Sequence, residues 1–142
     1  MAATVLDAMT GLPVTALKPG DVLVAEGDRS GKLYILKSGE LEVLRDGSVV
    51  AGFSEPGTIV GEISVLLGQP HSATIRARHG AEVHTVADPA GFLDAHPAVA
   101  REIARSLALR LQKTTGLLID MRQRAKARED HEMFDKIFAL LK

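Results

Sequence analysis

The 142-residue chain contains no cysteine, which removes disulfide bridges, a thiol nucleophile and thiolate metal sites together. An excess of charge of one sign is also missing. With 17 basic and 18 acidic residues the net charge is −1, so no global field draws the chain to nucleic acid or to an anionic membrane. No apolar run approaches the roughly 20 residues that span a bilayer. The N-terminus has no basic stretch ahead of an apolar one, and the expected location is cytoplasmic. Catalytic signatures are equally scarce. His79, His84, His96 and His131 show no His-Glu-x-x-His or comparable ligand spacing, so no metal site is expected. Ser64 precedes Val65 and Leu66, which excludes a Gly-x-Ser-x-Gly nucleophile elbow. Glu129 and Asp130 lie in a charged run and read as solvated, so the chain is not read as an enzyme and no cofactor is expected.

What is present is the pattern of one small globular core. The length suits a single core better than two ordinary domains. Short apolar or alternating runs at Val22–Val24, Leu33–Leu36, Leu41–Leu44, Val49–Ala51 and Glu82–Val86 are bounded by Gly, Asp or Ser at the spacing of an all-β barrel. Asp46-Gly47 is the clearest hairpin turn. After Val86 the period changes. Asp88 caps and Pro89 opens a short helix to about Ala95, and Pro97 starts a longer one where a missing N–H costs nothing. The fold class is therefore α+β and mainly β: an antiparallel, jelly-roll-like β-roll barrel followed by C-terminal helices.

Between the strands lies Val60-Gly61-Glu62-Ile63-Ser64-Val65-Leu66-Leu67-Gly68-Gln69-Pro70-His71-Ser72-Ala73-Thr74. A glycine ahead of Glu-Ile-Ser-Val-Leu-Leu opens a short helix whose first N–H groups have no intrahelical acceptor and so suit an anion. Gly68-Gln69-Pro70 ends that turn and feeds an extended segment from Ser72 to Ala77. On its own such a glycine more often only makes a turn.

In the long helix Val99, Ile103, Leu107, Leu111, Leu118, Met121 and Ala125 recur on one face, interrupted near Thr114 or Gly116. Leu109 and Leu117 widen the apolar surface. That face either lies on the barrel or meets a second copy in a homodimer. Beyond Met121 a charged run from Arg122 to Glu132 precedes Met133, Phe134, Ile137, Phe138 and Leu141, which share a helical stripe. Residues 1–121 thus form one domain including the long helix, and 122–142 a charged hinge and an amphipathic terminal helix. The terminal helix folds back on the barrel or serves as a lid or docking segment, and the former is favoured.

From Leu17 to about Met121 the chain resembles the cyclic nucleotide-binding domain family. The resemblance rests on Lys18 to Asp28 as opening turn and strand, on Leu33 to Val43 as two strands joined by a tight turn, and on Glu55-Pro56-Gly57 leading into the cassette. Family glycines fall at Gly20, Gly27, Gly39, Gly57 and Gly61. Arg110 to Thr115 resembles the dimer helix of bacterial catabolite activator proteins. The resemblance implies a phosphate-binding cassette in which Gly61 leaves space for the cyclic phosphate and backbone N–H groups of Glu62, Ile63 and Ser64 lie near it. It also implies that Glu62 accepts from the ribose 2′-hydroxyl, that Ser72 adds a hydroxyl, and that Thr114 and Thr115 contact the purine. The bland alternatives are a solvated acid at Glu62, a turn end at Ser72 and a solvated polar pair at Thr114 and Thr115.

The departure from the family is His71, where arginine is expected. A guanidinium is permanently charged and bidentate, whereas imidazole, with a pKa of about 6.5, is mostly neutral at pH 7. Losing a charge-assisted hydrogen bond of about 1.5–3 kcal/mol weakens binding roughly ten- to a hundred-fold. Three readings remain open: weak cyclic nucleotide binding that strengthens as pH falls from about 8 to 6, another small anion, or a pocket without ligand. The expected function is a sensor or regulatory domain for cAMP or cGMP that repositions its C-terminal helices. The competing expectation is a ligand-free dimerisation or protein-interaction module. A separate protein effector fits either. The 21 residues after Met121 are too few for a helix-turn-helix, so DNA binding by this chain alone is not expected.

Overall fold

The computed structural model describes residues 2–141. These divide into two compact units, one ending at Ile103 and one beginning at Ala104. In the first lie α1 (Ala2–Ala8), β1 (Val14–Leu17), β2 (Val22–Val24), β3 (Leu33–Arg45), β4 (Ser48–Phe53), β5 (Ile59–Val60), α2 (Glu62–Leu67), β6 (Thr74–Val86) and α3 (Pro89–Ala95). Helix α4 (Pro97–Arg124) starts there and continues into the second unit, which also holds α5 (Arg128–Ala139).

All strand pairings are antiparallel. The path runs β1-β6-β3-β4, with β2 also on β6 and β5 also on β3. This is the expected antiparallel roll with helices after it, but the sheet does not close into a barrel. Its centre is the long pairing of β3 with β6, from Leu33 opposite Val86 to Leu44 opposite Thr74. Alternation along β3 sends Tyr34, Leu36 and Leu41 into a core with Val24, Val60, Ile75, Ala77, Ala81 and Val83. Leu33 and Ile35 point the other way and are also fully buried, so this strand is apolar on both faces and reads as a continuous run. Each such side chain contributes about 1.5–3 kcal/mol on burial.

One expectation about the strands fails. Leu33 to Val43 is a single bent strand, not two strands joined by a tight turn. The bend is at Gly39, where φ is +85° and an added Cβ would sit 2.2 Å from the Gly80 carbonyl oxygen. The glycine therefore permits a close crossing of two backbones without reversing the chain. The hairpin expected at Asp46-Gly47 forms, with φ of 51° and 79° and Arg45 paired with Ser48. These positive values fit a hairpin turn with left-handed central residues.

Helix starts follow their local signals. Asp88 accepts a hydrogen bond from the Gly91 N–H, with Pro89 at the first position of α3. Helix α4 begins at Pro97 and runs unbroken past Thr114 and Gly116. Along its apolar stripe Val99 and Ile103 are buried, Leu107, Leu118 and Ala125 are half-buried, and Leu111 and Met121 are exposed. The charged run is largely helical: α4 ends at Arg124 and α5 begins at Arg128. Arg122 Nε joins the two helices by an ion pair to Asp135 at 2.8 Å, and Phe134 of α5 is buried.

Candidate functional site

The cassette is held by β3. Strand β5 pairs with it, Val60 opposite Tyr34 and Ile59 opposite Ile35, and so delivers Gly61 to the edge of the core. Gly61 precedes α2 with φ +87°, a conformation that a side chain would strain. Its Cα also faces Lys32: a Cβ would lie 3.0 Å from the Lys32 carbonyl oxygen, 3.7 Å from His71 Cε1 and 3.9 Å from Tyr34 Cδ2. Packing and backbone conformation each account for a glycine here.

Within α2 the first N–H to find a helical carbonyl is that of Val65, bonded to Gly61 O at 3.2 Å. The turn ahead of it presents the N-terminal end of the helix. Glu62 is 8% exposed, so it is not the solvated acid that its position at a helix start allows. Ile63 is exposed. Ser64 is buried, and its hydroxyl donates to the Gln69 carbonyl, while Gln69 N–H returns to Ser64 O at 3.1 Å. The Ser64 side chain thus closes the C-terminal end of α2 beside Gly68, which has φ +63°. Ser72 is exposed, and its carbonyl accepts from Arg45 Nε at 3.1 Å.

His71 is 5% exposed. Its Nε2 lies 2.9 Å from Ser30 Oγ, its backbone N–H donates to Asp28 O at 2.8 Å, and its carbonyl accepts from Gly27 N–H at 2.8 Å. Loss of hydration on burial moves the ring's pKa below 6.5, partly opposed by the Asp28 carboxylate. The gain in charge expected between pH 8 and 6 is therefore displaced toward more acidic pH.

Six of the eight residues singled out in the sequence, Gly61, Glu62, Ile63, Ser64, His71 and Ser72, belong to this one helix and its flanking turns. Thr114 and Thr115 belong to the second unit, on α4, the first exposed and the second half-buried. Sequence reasoning missed Ser30, Arg29 and Arg45. Arg29 Nη1 donates to Gly68 O at 2.9 Å. The one available signal was the turn composition of Gly27-Asp28-Arg29-Ser30-Gly31, which frees short polar side chains to bond elsewhere. Its partner, 41 positions away, is not readable locally. An open cleft of about 300 Å³ lies beside Arg29, Ser64, Gly68, Gln69 and Asp88.

Among the described residues no group of three or more His, Asp or Glu is arranged to hold a metal ion. No helix among them is long and apolar enough to cross a membrane.

Known proteins resemble this chain in sequence or in structure. A human voltage-gated inwardly rectifying potassium channel, KCNH6, is 35% identical over 126 residues, which are 84% of this chain and 13% of the channel. The chain thus spans a small part of that relative. The catabolite activator protein of Thermus thermophilus superposes with a TM-score of 0.70 at 26% identity, over 84% of this chain and 58% of that one. A structure described as PKAR CBD2 with Sp-2Cl-cAMPS bound superposes at 0.66 and 18% identity, over 82% and 84% of the two chains, and bears on the fold alone. The sequence profile described as "Cyclic nucleotide-binding domain" matches residues 14–95, from the first strand of the sheet to the end of α3. With that match enclosing the whole sheet and the helix that Gly61 opens, the chain belongs to the cyclic nucleotide-binding domain family.

Proposed function

We propose that this chain is a non-enzymatic sensor or regulatory domain for cAMP or cGMP, with the ligand's cyclic phosphate at the first turn of α2. The observation that carries this reading is the convergence, inside the family match, of a left-handed glycine, a buried carboxylate and a buried imidazole at one helix end. Backbone N–H groups of Glu62, Ile63 and Ser64 serve the phosphate. The Glu62 carboxylate accepts from the ribose 2′-hydroxyl, Ser72 adds a hydroxyl, and Thr114 and Thr115 meet the purine with groups that both donate and accept. The ligand shifts the C-terminal helices by binding one of their positions more tightly than another.

Thermal melting with cAMP, cGMP and cyclic dinucleotides tests this directly. A ligand at a hundred times its Kd stabilises the native state by about 2.7 kcal/mol, so the midpoint should rise with cAMP or cGMP. No rise with either at millimolar concentration sinks the reading.

A second reading has its own support. Leu109, Leu111, Leu117, Ile119 and Met121 are exposed on α4, and Met133, Leu140 and Leu141 at the C-terminal end. Their spacing distributes those of α4 around the helix, and exposed apolar side chains leave surface that a partner can cover. It supports a homodimer through α4, which accompanies the sensor or, if no nucleotide binds, replaces it as a ligand-free assembly module acting on itself or on a protein effector.

A further inference from the structure

The turn between β2 and β3 grips the cassette at four points. Gly27 N–H donates to His71 O, His71 N–H donates to Asp28 O, Arg29 Nη1 donates to Gly68 O, and Ser30 Oγ meets His71 Nε2 at 2.9 Å. Three of the four end on one residue. The backbone of His71 is fixed by two bonds, and Ser30 fixes the orientation of its ring.

Ser30 Oγ also accepts the Lys32 N–H at 3.3 Å. That occupies one lone pair and leaves its hydroxyl hydrogen to give. A buried imidazole is more stable neutral, and a neutral ring has one N–H and one acceptor nitrogen. If Nε2 accepts from Ser30, the ring hydrogen resides on Nδ1. The ring stands at the cassette, its Cε1 3.7 Å from where a Cβ on Gly61 would lie.

We propose that Ser30 is a positioning residue that fixes His71 in its Nδ1–H tautomer, so that a neutral imidazole offers an N–H donor to an anion at the cassette. The identity of that anion as a cyclic nucleotide phosphate rests on the function proposed above, and the tautomer does not. A missing charge is thereby replaced by an oriented donor.

Long-range proton–nitrogen spectra of the histidine rings in the ligand-free full chain at pH 7.5 test this, with His71 assigned by the signal lost in His71→Gln. The Nδ1–H pattern is expected in the wild type and in Ser30→Thr, which keeps the hydroxyl, with a shift toward Nε2–H in Ser30→Ala. An Nε2–H ring in the wild type, or an unchanged pattern in Ser30→Ala, overturns the inference. Adding cAMP should move the Nδ1 signal, and Ser30→Ala should weaken cAMP binding about two- to tenfold, the effect of misplacing one neutral hydrogen bond. If the tautomer is as stated while neither cAMP nor cGMP moves any ring signal, the nucleotide reading and the anion role fall and the positioning by Ser30 stands.

Discussion

An imidazole enclosed beside Ser30 takes up a proton less readily than one in water, because burial strips hydration from the charged form, and Asp28 offsets only part of this. Its pKa is lower in the folded chain than the 6.5 of the unfolded one, so between those values the unfolded state binds more protons. Stability is then full above about pH 6.5 and falls as acid is added. Urea midpoints taken from pH 8 to 5 should decline more steeply in the wild type than in His71→Gln, and parallel curves would contradict this. For the proposed ligand, His71→Arg restores a permanent charge and should tighten cAMP binding by roughly ten- to a hundred-fold, read by titration calorimetry. No heat from a folded Arg variant would remove the nucleotide reading. The cassette residues were legible because helix start, glycine and anion chemistry are local in sequence. Ser30 was not, since its role depends on a partner that only the folded turn brings near.

Among the elements, β3 and β6 depend most on single backbone positions. Gly39→Ala places a methyl group 2.2 Å from the Gly80 carbonyl oxygen at a φ of +85°, against the backbone of Gly80 and Ala81 and not a side chain that could yield. A loss of at least about 2 kcal/mol is expected from strain and overpacking combined. Gly47→Ala is the control, having positive φ but open space around it, and should cost only about 1–2 kcal/mol. Equal losses in denaturant melts would show that the crossing at Gly39 is not tightly packed. This bend also explains the misreading of β3. Lys37-Ser38-Gly39-Glu40 has turn composition, and sequence does not distinguish a glycine that reverses a chain from one that bends a strand over its neighbour. The starts of α3 and α4 were legible because Asp88, Pro89 and Pro97 act on their own helices. Helix α1 was not anticipated, as Ala2–Ala8 carries neither a periodic stripe nor a clear cap in sequence.

At the scale of the whole molecule, exposed leucines on α4 make assembly a measurable property. Leu111→Glu combined with Leu117→Glu puts two charges on residues that are 52% and 60% exposed, so the fold should tolerate them while a homodimer should not. Sedimentation equilibrium should give a dimer for the wild type and a monomer for the double variant. A monomeric wild type at tens of micromolar would dismiss the dimer. The sequence showed the amphipathic stripe of α4 but not how far its burial extends, because periodicity marks a face without naming what covers it. The pairing of β3 with β6 has a further consequence for how the chain reaches its native state. Leu44 meets Thr74 while Leu33 meets Val86, so each successive pair closes a longer loop than the one before. Loop closure costs entropy before the contacts repay it, and long-range pairing of this kind slows folding. Zipping from the Leu44–Thr74 end closes the loop that carries Gly61 early, but β5 docks on Tyr34 and Ile35 at the other end, so the cassette takes its place only as the Leu33–Val86 end pairs.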